Sequence, residues 1–152
     1  MTSCFPDVNV WLALSVSGHA HSGDAWKWLR EQSAETTLIF SRFTQLGLLH
    51  LLTNQSAMGD QTLTLGQAWT VYDRWLNDPR VELLADPRDL DAEFRKATAP
   101  LAAKAASKAV GDCYLLAFAR ASNATLITFD KVLFSLARKH RSPATLPAQP
   151  AE

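Results

Sequence analysis

The chain has 152 residues, of which 47% are hydrophobic and 20% charged, and it contains five tryptophans. This length and apolar content exclude a disordered chain and predict one domain whose core is stable without disulfides. Fifteen basic and fifteen acidic residues cancel, so the overall charge indicates neither a nucleic-acid nor a membrane partner. A polyanionic ligand would have to be held by local basic patches or by a metal ion.

The N-terminal part of the chain alternates between strand and helix patterns. Apolar runs rich in β-branched and aromatic residues predict strands, whereas apolar residues at helical spacing predict helices. In chain order we expect a strand at 3–6, a buried helix from Val8 that ends by Gly18, a helix at 21–32, a strand at 36–41 and a helix at 43–54.

The same alternation continues to the C-terminus. We expect a helix at 64–77, a strand at 81–84, a helix at 89–98, a helix or mobile loop at 101–109, a helix at 111–121, a strand at 125–129 and a helix at 132–140. This order predicts an α/β fold with a parallel sheet covered on both sides. Residues 1–142 are expected to form one domain, followed by a C-terminal strand or tail at 143–152 with a disordered end.

Neither a targeting segment nor a disulfide framework is indicated. The N-terminal apolar run lacks a basic region before it and is interrupted by Asp7 and Asn9, which is unlike a signal peptide. No stretch has the roughly eighteen apolar residues of a membrane span, so we expect a cytoplasmic protein. The only cysteines, Cys4 and Cys113, lie in apolar surroundings and are interpreted as buried thiols.

Four polar residues lie at the ends of predicted strands or near the starts of predicted helices. Asp7 and Asp130 each stand at the end of a strand, Asp112 opens a helix, and Gln45 lies one turn into another helix. In open α/β sheets ligands bind outside the carboxyl ends of the strands. We therefore expect Asp7 and Asp130 at one sheet edge, with Asp112 and Gln45 beside them.

Three carboxylates in one crevice repel one another unless a proton or a cation compensates them. An all-oxygen site favours Mg²⁺ or Mn²⁺ over zinc. The competing interpretation is that each aspartate only caps a helix. Asn9 and Thr128 are supporting candidates, because Asn9 could bond a carboxylate and strand alternation could direct Thr128 to the same site.

Four motifs in order resemble those of PIN-domain nucleases, particularly the VapC-type toxins of bacterial toxin–antitoxin pairs. They are PDVNVWLAL, SRFTQLGLLHLLTN, VGDCYLLAFA and LITFD. The resemblance implies a three-layer α/β/α domain and a metal-dependent endoribonuclease. It also implies that Asp7, Asp112 and Asp130 hold Mg²⁺ or Mn²⁺, directly or through water.

The resemblance has further implications and one departure. Most of the family has a glutamate in the second motif, whereas this chain has Gln45, which offers a carbonyl oxygen but no charge. Gln45 is still expected to complete the catalytic pocket. The implied partners are an RNA substrate, a small antitoxin protein and a second copy of the chain.

Several residues have competing interpretations. A basic group before Asp112 could hold RNA phosphates or form only a solvated helix face; it comprises Arg95, Lys96, Lys104 and Lys108. The pair His19 and His21 is interpreted as surface. A catalytically inactive PIN module that binds RNA is the main alternative function, supported by Gln45. A receiver-like phospho-acceptor domain is a second, although the middle strand lacks the aspartate it needs.

Overall fold

The computed structural model describes residues 2–147, which form a five-stranded sheet between two layers of helices. The strands are β1 (Ser3–Pro6), β2 (Thr37–Phe40), β3 (Val81–Leu83), β4 (Thr125–Ile127) and β5 (Ala144–Thr145). The helices are α1 (Val8–Ser15), α2 (Ser22–Arg30), α3 (Arg42–Leu52), α4 (Gln55–Met58), α5 (Leu65–Leu76), α6 (Leu90–Thr98), α7 (Val110–Ala121) and α8 (Lys131–Lys139).

The strand order is β3-β2-β1-β4-β5, and every described pair of neighbours is parallel. The predicted α/β class with a central parallel sheet is therefore confirmed. The chain moves outward from β1 through β2 to β3 and then crosses to β4 on the other side of β1. This reversal makes the carboxyl ends of β1 and β4 a topological switch point, which is where such sheets bind ligands.

The two faces of the sheet bury separate apolar clusters. Side chains alternate along each strand, so Cys4 and Phe40 face the layer that contains α1, α2, α3 and α5. Phe5 and Leu126 face the opposite layer of α6, α7 and α8. Because both faces are covered, the sheet is buried on two sides and its strands read as short apolar runs.

The observed elements differ from the predicted ones mainly at their ends. Helix α1 ends at Ser15, before the predicted stop, and β4 ends at Ile127 rather than two residues later. The segment predicted as helix or loop at 101–109 is a loop with short 3₁₀ turns at Ala99–Leu101 and Ser107–Ala109. Helix α4 was not predicted; the Asn54 side chain caps its N-terminus.

The C-terminal segment begins with a strand, since β5 pairs with β4 at the sheet edge. The expectation of a disordered end falls on residues 148–152, which lie outside the described part of the chain. Within residues 2–147, none of the helices is long and apolar enough to cross a membrane.

Candidate active site

Asp7 and Thr128 meet where β1 and β4 end. Asp7 is only 7% exposed, and its Oδ2 accepts a hydrogen bond of 3.0 Å from the Thr128 hydroxyl. Thr128 Oγ1 in turn accepts from the backbone N–H of Asp130 at 3.0 Å, so its single proton is directed to Asp7. Asp7 occupies the N-cap position of α1, but its side chain makes no capping bond to that helix.

Asp130 behaves differently, because its carboxylate caps helix α8. Its Oδ1 accepts from the backbone N–H groups of Val132 at 2.8 Å and Leu133 at 3.2 Å. The helix-cap interpretation is therefore correct for the Asp130 side chain. Asp130 is exposed. Its backbone N–H donates to Thr128, which holds the residue near Asp7, while its side chain caps α8.

Asp112 lies in the first turn of α7 and is half-buried. The N-cap of this helix is Ala109, which has no capping side chain, so Asp112 is not the cap. A carboxylate in the first turn is stabilised by the helix dipole. Burial nevertheless raises the pKa of Asp112, and the charge of Asp130 adds to the increase.

Burial also raises the pKa of Asp7, and the charges of Asp130 and Asp112 raise it further. The bonds to Thr128 and to the Val8 backbone act in the opposite direction but do not cancel the increase. The three aspartates therefore share one electrostatic environment at the sheet edge. A divalent cation or a proton would relieve the repulsion between them.

The donor set matches a hard divalent cation in kind, since it consists of carboxylate oxygens. In the described part of the chain, however, no three His, Cys, Asp or Glu side chains converge closely enough to hold one ion. The physical reason is visible in the bonds above: Asp130 points to its own helix and Asp7 Oδ2 to Thr128. An ion would need a changed rotamer or bridging waters at these residues.

Gln45 is buried in the first half of α3, with 4% of its surface exposed. Its Oε1 accepts a 2.6 Å hydrogen bond from Nη1 of Arg42. Because arginine can only donate, the amide oxygen must face Arg42, which leaves the Nε2–H groups as donors toward a further acceptor. The Tyr72 hydroxyl lies near the same amide, and burial raises the pKa of Tyr72.

The predicted basic group divides into two places. Arg95 and Lys104 line one pocket beside the start of α7, and Lys108 lies in the same loop. Lys96 instead faces Glu93, with 3.6 Å between Nζ and Oε1. The four residues therefore do not form one patch, because successive residues of α6 point in different directions.

Two further candidates are placed at the surface. Asn9 is exposed in the first turn of α1. Of the histidine pair predicted at the surface, His21 is exposed and His19 is half-buried. His21 stacks on Phe129 with 4.4 Å between the ring centroids. Arg42 is the residue that sequence reasoning missed, and the signal available for it was its position three residues before Gln45, one helical turn away.

Both thiols are buried and free. Burial raises the pKa of Cys4 to about 11 and also raises that of Cys113. The interpretation of these cysteines as apolar core residues is therefore confirmed in their burial. Thiols held in the protonated form are poor nucleophiles.

Residues 4–139 match the PIN domain family model, and the chain belongs to the PIN-domain family. Ribonuclease VapC41 of Mycobacterium tuberculosis is 39% identical over 128 residues, which cover 82% of this chain and 86% of that protein. The chain is thus a PIN domain of the VapC type, as its motifs predicted.

Solved structures support the fold. The VapBC2 structure from Rickettsia felis, bound to a DNA fragment from its promoter, matches with a TM-score of 0.70 and 15% identity, covering 95% of this chain and 98% of that one. Mycobacterium tuberculosis VapC20, a sarcin-ricin loop cleaving toxin, matches with a TM-score of 0.62 and 17% identity, covering 87% and 93%. At these identities the likeness is one of fold.

Proposed function

We propose that this chain is the ribonuclease toxin of a toxin–antitoxin pair and hydrolyses RNA phosphodiester bonds at the crevice of Asp7, Asp112 and Asp130. The observation that carries the proposal is the buried Asp7 carboxylate at the switch point, which does not cap its helix and is held by Thr128. A relative 39% identical over most of the chain is named a ribonuclease, which supports the same reaction.

Asp7 and Asp112 would hold Mg²⁺ or Mn²⁺, and Asp130 would contribute through water because its carboxylate caps α8. When bound, such an ion lowers the pKa of a coordinated water and stabilises charge on the phosphate. Thr128 keeps Asp7 Oδ2 oriented by donating to it. Gln45 would donate from Nε2 to a phosphate oxygen, since Arg42 occupies its carbonyl oxygen.

The proposal includes two protein partners. One structural neighbour is a toxin–antitoxin complex from Klebsiella pneumoniae, which supports a small cognate antitoxin here. The homodimer implied by the family resemblance would bury apolar side chains that α3 and α5 leave exposed. They are Phe43, Leu46, Leu65, Trp69 and Leu76. Both partners and the RNA are expected in the cytoplasm.

The proposed activity can be tested with total RNA and the purified chain in EDTA, Mg²⁺ or Mn²⁺. We expect cleavage only with a divalent ion, and calorimetric titration of the same ion should show binding that Asp112→Asn weakens. Cleavage that persists in EDTA would contradict the metal requirement. RNA binding without cleavage under all three conditions would instead support the inactive module.

The two alternative functions have less support. The inactive module rests on the absence of a glutamate at position 45, yet the three aspartates remain and the curated relative is a ribonuclease. The receiver-like alternative is wrong, because residues 4–139 match the PIN domain family.

A further inference from the structure

A cavity between the end of α6 and the start of α7 has no role in the function described so far. Its volume is about 650 Å³, which is within the range of roughly 300–1,000 Å³ typical of small-ligand pockets. The end of α6, the loop at 99–109 and the start of α7 form its walls. Among the lining residues are Arg95, Leu101, Lys104, Ala105, Ser107 and Val110.

Small side chains create this cavity. Five of its lining residues are alanines, located at positions 99, 102, 105, 106 and 109. The buried Cys113 contributes to the lining and donates through Sγ to the Ala97 carbonyl at 3.5 Å. The walls are therefore largely apolar, and their polar side chains are Thr98, Ser107 and the two basic residues Arg95 and Lys104.

The two charged side chains that line the cavity, Arg95 and Lys104, are both basic. Arg95 is paired with Asp91 on the exposed side of α6, with 2.8 Å between Nε and Oδ2. Within residues 2–147, neither Lys104 nor Lys108 has a carboxylate within ion-pair distance. The cavity rim thus attracts anions.

The cavity and the proposed catalytic carboxylate share one turn of helix. Val110 and Cys113 line the cavity, and Asp112 stands between them in the sequence. Asp112 lies about 100° around the helix axis from Cys113, so it is on the same turn as the cavity wall but on a different face of α7. Asp112 itself is not part of the lining.

We propose that this cavity is a nucleotide subsite: it receives the base next to the scissile phosphate, while Lys104 and Lys108 contact the flanking phosphates. The inference rests on the proposed ribonuclease function and adds how the RNA is selected. A nucleotide fits better than an acidic peptide, because it combines an apolar ring with an adjoining anion. The apolar walls suit the ring, and Lys104 in the lining and Lys108 in the same loop suit the phosphates.

Abasic substitution of a cleaved oligonucleotide tests the subsite directly. In the wild type, removal of the base that occupies the cavity should lower kcat/KM about tenfold or more, with smaller effects at other positions. Ala105→Trp, which fills the cavity from an exposed lining position, should cut the intact RNA about tenfold more slowly. The variant should also be insensitive to the abasic change at that position.

The matched control is Ala103→Trp, since Ala103 is exposed in the same loop but is not a lining residue. It should behave as the wild type on both substrates. If Ala105→Trp lowers the melting temperature, Ala102→Leu narrows the same cavity and provides the same test.

Lys104→Ala should reduce the salt dependence of KM by about one phosphate contact, whereas Lys27→Ala on α2 should not.

The outcomes separate the subsite from the ribonuclease function. If the wild type cuts RNA but Ala105→Trp and Ala103→Trp respond alike to every abasic substrate, the subsite is refuted and the ribonuclease function stands. If Ala105→Trp keeps the cleavage pattern but escapes a protein inhibitor, the cavity binds protein and the subsite is likewise refuted. If the wild type cuts no RNA with any ion, both proposals fail.

Discussion

The three aspartates have the same chemistry but different duties in the structure. Asp130 caps α8 by accepting from two backbone N–H groups, whereas neither the Asp7 nor the Asp112 side chain caps the helix that it begins or in which it lies. An aspartate buried without a compensating charge costs free energy. A buried aspartate at position 7 therefore indicates a functional site, as the raised pKa of Asp7 also does.

Asp7→Asn should abolish cleavage and stabilise the metal-free protein. A carboxyl whose pKa is raised by folding binds its proton more tightly in the native state. The native state therefore loses stability as the pH rises from the ordinary value of 3.8 through the raised pKa of Asp7. We expect cleavage about 100-fold or more slower and a higher melting temperature in EDTA at pH 7.5.

The gain in melting temperature should shrink as the pH falls toward 4, because the wild-type carboxyl then becomes protonated as well. The control is Asp60→Asn, since Asp60 is exposed and distant in sequence from the crevice. A lower melting temperature for Asp7→Asn at neutral pH would contradict the cost assigned to the buried charge. Unchanged cleavage would remove Asp7 from the catalytic set.

Gln45→Glu should strengthen Mg²⁺ binding less than the addition of a negative charge alone would suggest. Arg42 already contacts the amide oxygen, so a glutamate there would form an ion pair with Arg42 and be largely neutralised. We expect Gln45→Glu alone to cause little change in the Mg²⁺ concentration that gives half-maximal thermal stabilisation. The double variant Arg42→Ala/Gln45→Glu should lower it about fivefold, which corresponds to about 1 kcal/mol.

Arg42→Ala alone is the control for loss of the arginine. Thermal melts of all four proteins across a Mg²⁺ titration provide the comparison, because binding to the native state raises its stability. If Gln45→Glu and the double variant lower the Mg²⁺ concentration for half-maximal stabilisation equally, Arg42 does not neutralise the glutamate. If neither variant changes it, residue 45 is too far from the metal ion to affect its binding.

At the scale of elements, the position of Asp7 depends on how closely α1 and α3 approach each other. A Cβ added at Gly47 in α3 would lie 2.6 Å from Cγ2 and 3.0 Å from Cγ1 of Val8. Real Cβ atoms do not come so close, so glycine is required for this packing. Val8 follows Asp7 directly, and the contact therefore fixes the start of α1 next to the crevice.

Gly47→Ala should destabilise the protein by about 1–3 kcal/mol through overpacking, although alanine is favoured over glycine within helices by about 1 kcal/mol. Val8→Ala should rescue much of the loss in the double variant, because the clashing methyl groups are removed. Urea denaturation of the two single variants and the double variant measures this coupling.

Gly23→Ala in α2 is the matched control, since an added Cβ there meets nothing within 4 Å. It should leave stability unchanged or raise it by up to about 1 kcal/mol. Equal effects of the two glycine substitutions would show that the close contact between α1 and α3 does not limit the packing.

At the scale of the whole molecule, five of the nine large apolar side chains exposed in the described residues lie on α3 and α5, two helices that pack together. Leu46 on α3 and Leu65 on α5 are each 59% exposed. Apolar groups concentrated on one part of a surface are typical of interfaces. This observation agrees with the homodimer proposed from the family resemblance.

Leu46→Arg should convert the proposed dimer to a monomer, because a charge would then be buried without a partner. Val132→Arg on α8 is the control, since Val132 is 73% exposed and lies on the other layer of helices. Sedimentation velocity at micromolar concentration distinguishes the two species. A wild type that sediments as a monomer, or a Leu46→Arg variant that stays dimeric, would contradict this interface.

The sequence by itself determined the fold class, the family and the order of nearly all the described elements. Strand and helix periodicities are local properties, and the strand ends followed by Asp7 and Asp130 are visible as changes from one period to the other. The four motifs also sufficed for the PIN-domain assignment, which the family match confirms. These features depend on neighbours within a few residues along the chain.

Only the tertiary structure decided which polar groups meet. That Thr128 donates to Asp7, 121 positions away in sequence, follows from the pairing of β1 with β4. That Asp130 caps its helix while Asp7 does not is a choice between rotamers with similar sequence signals. The cavity between the end of α6 and the start of α7 is lined by five alanines of the connecting loop, which the tertiary structure brings against both helices. Such contacts depend on the register and packing of distant segments, which no local pattern specifies.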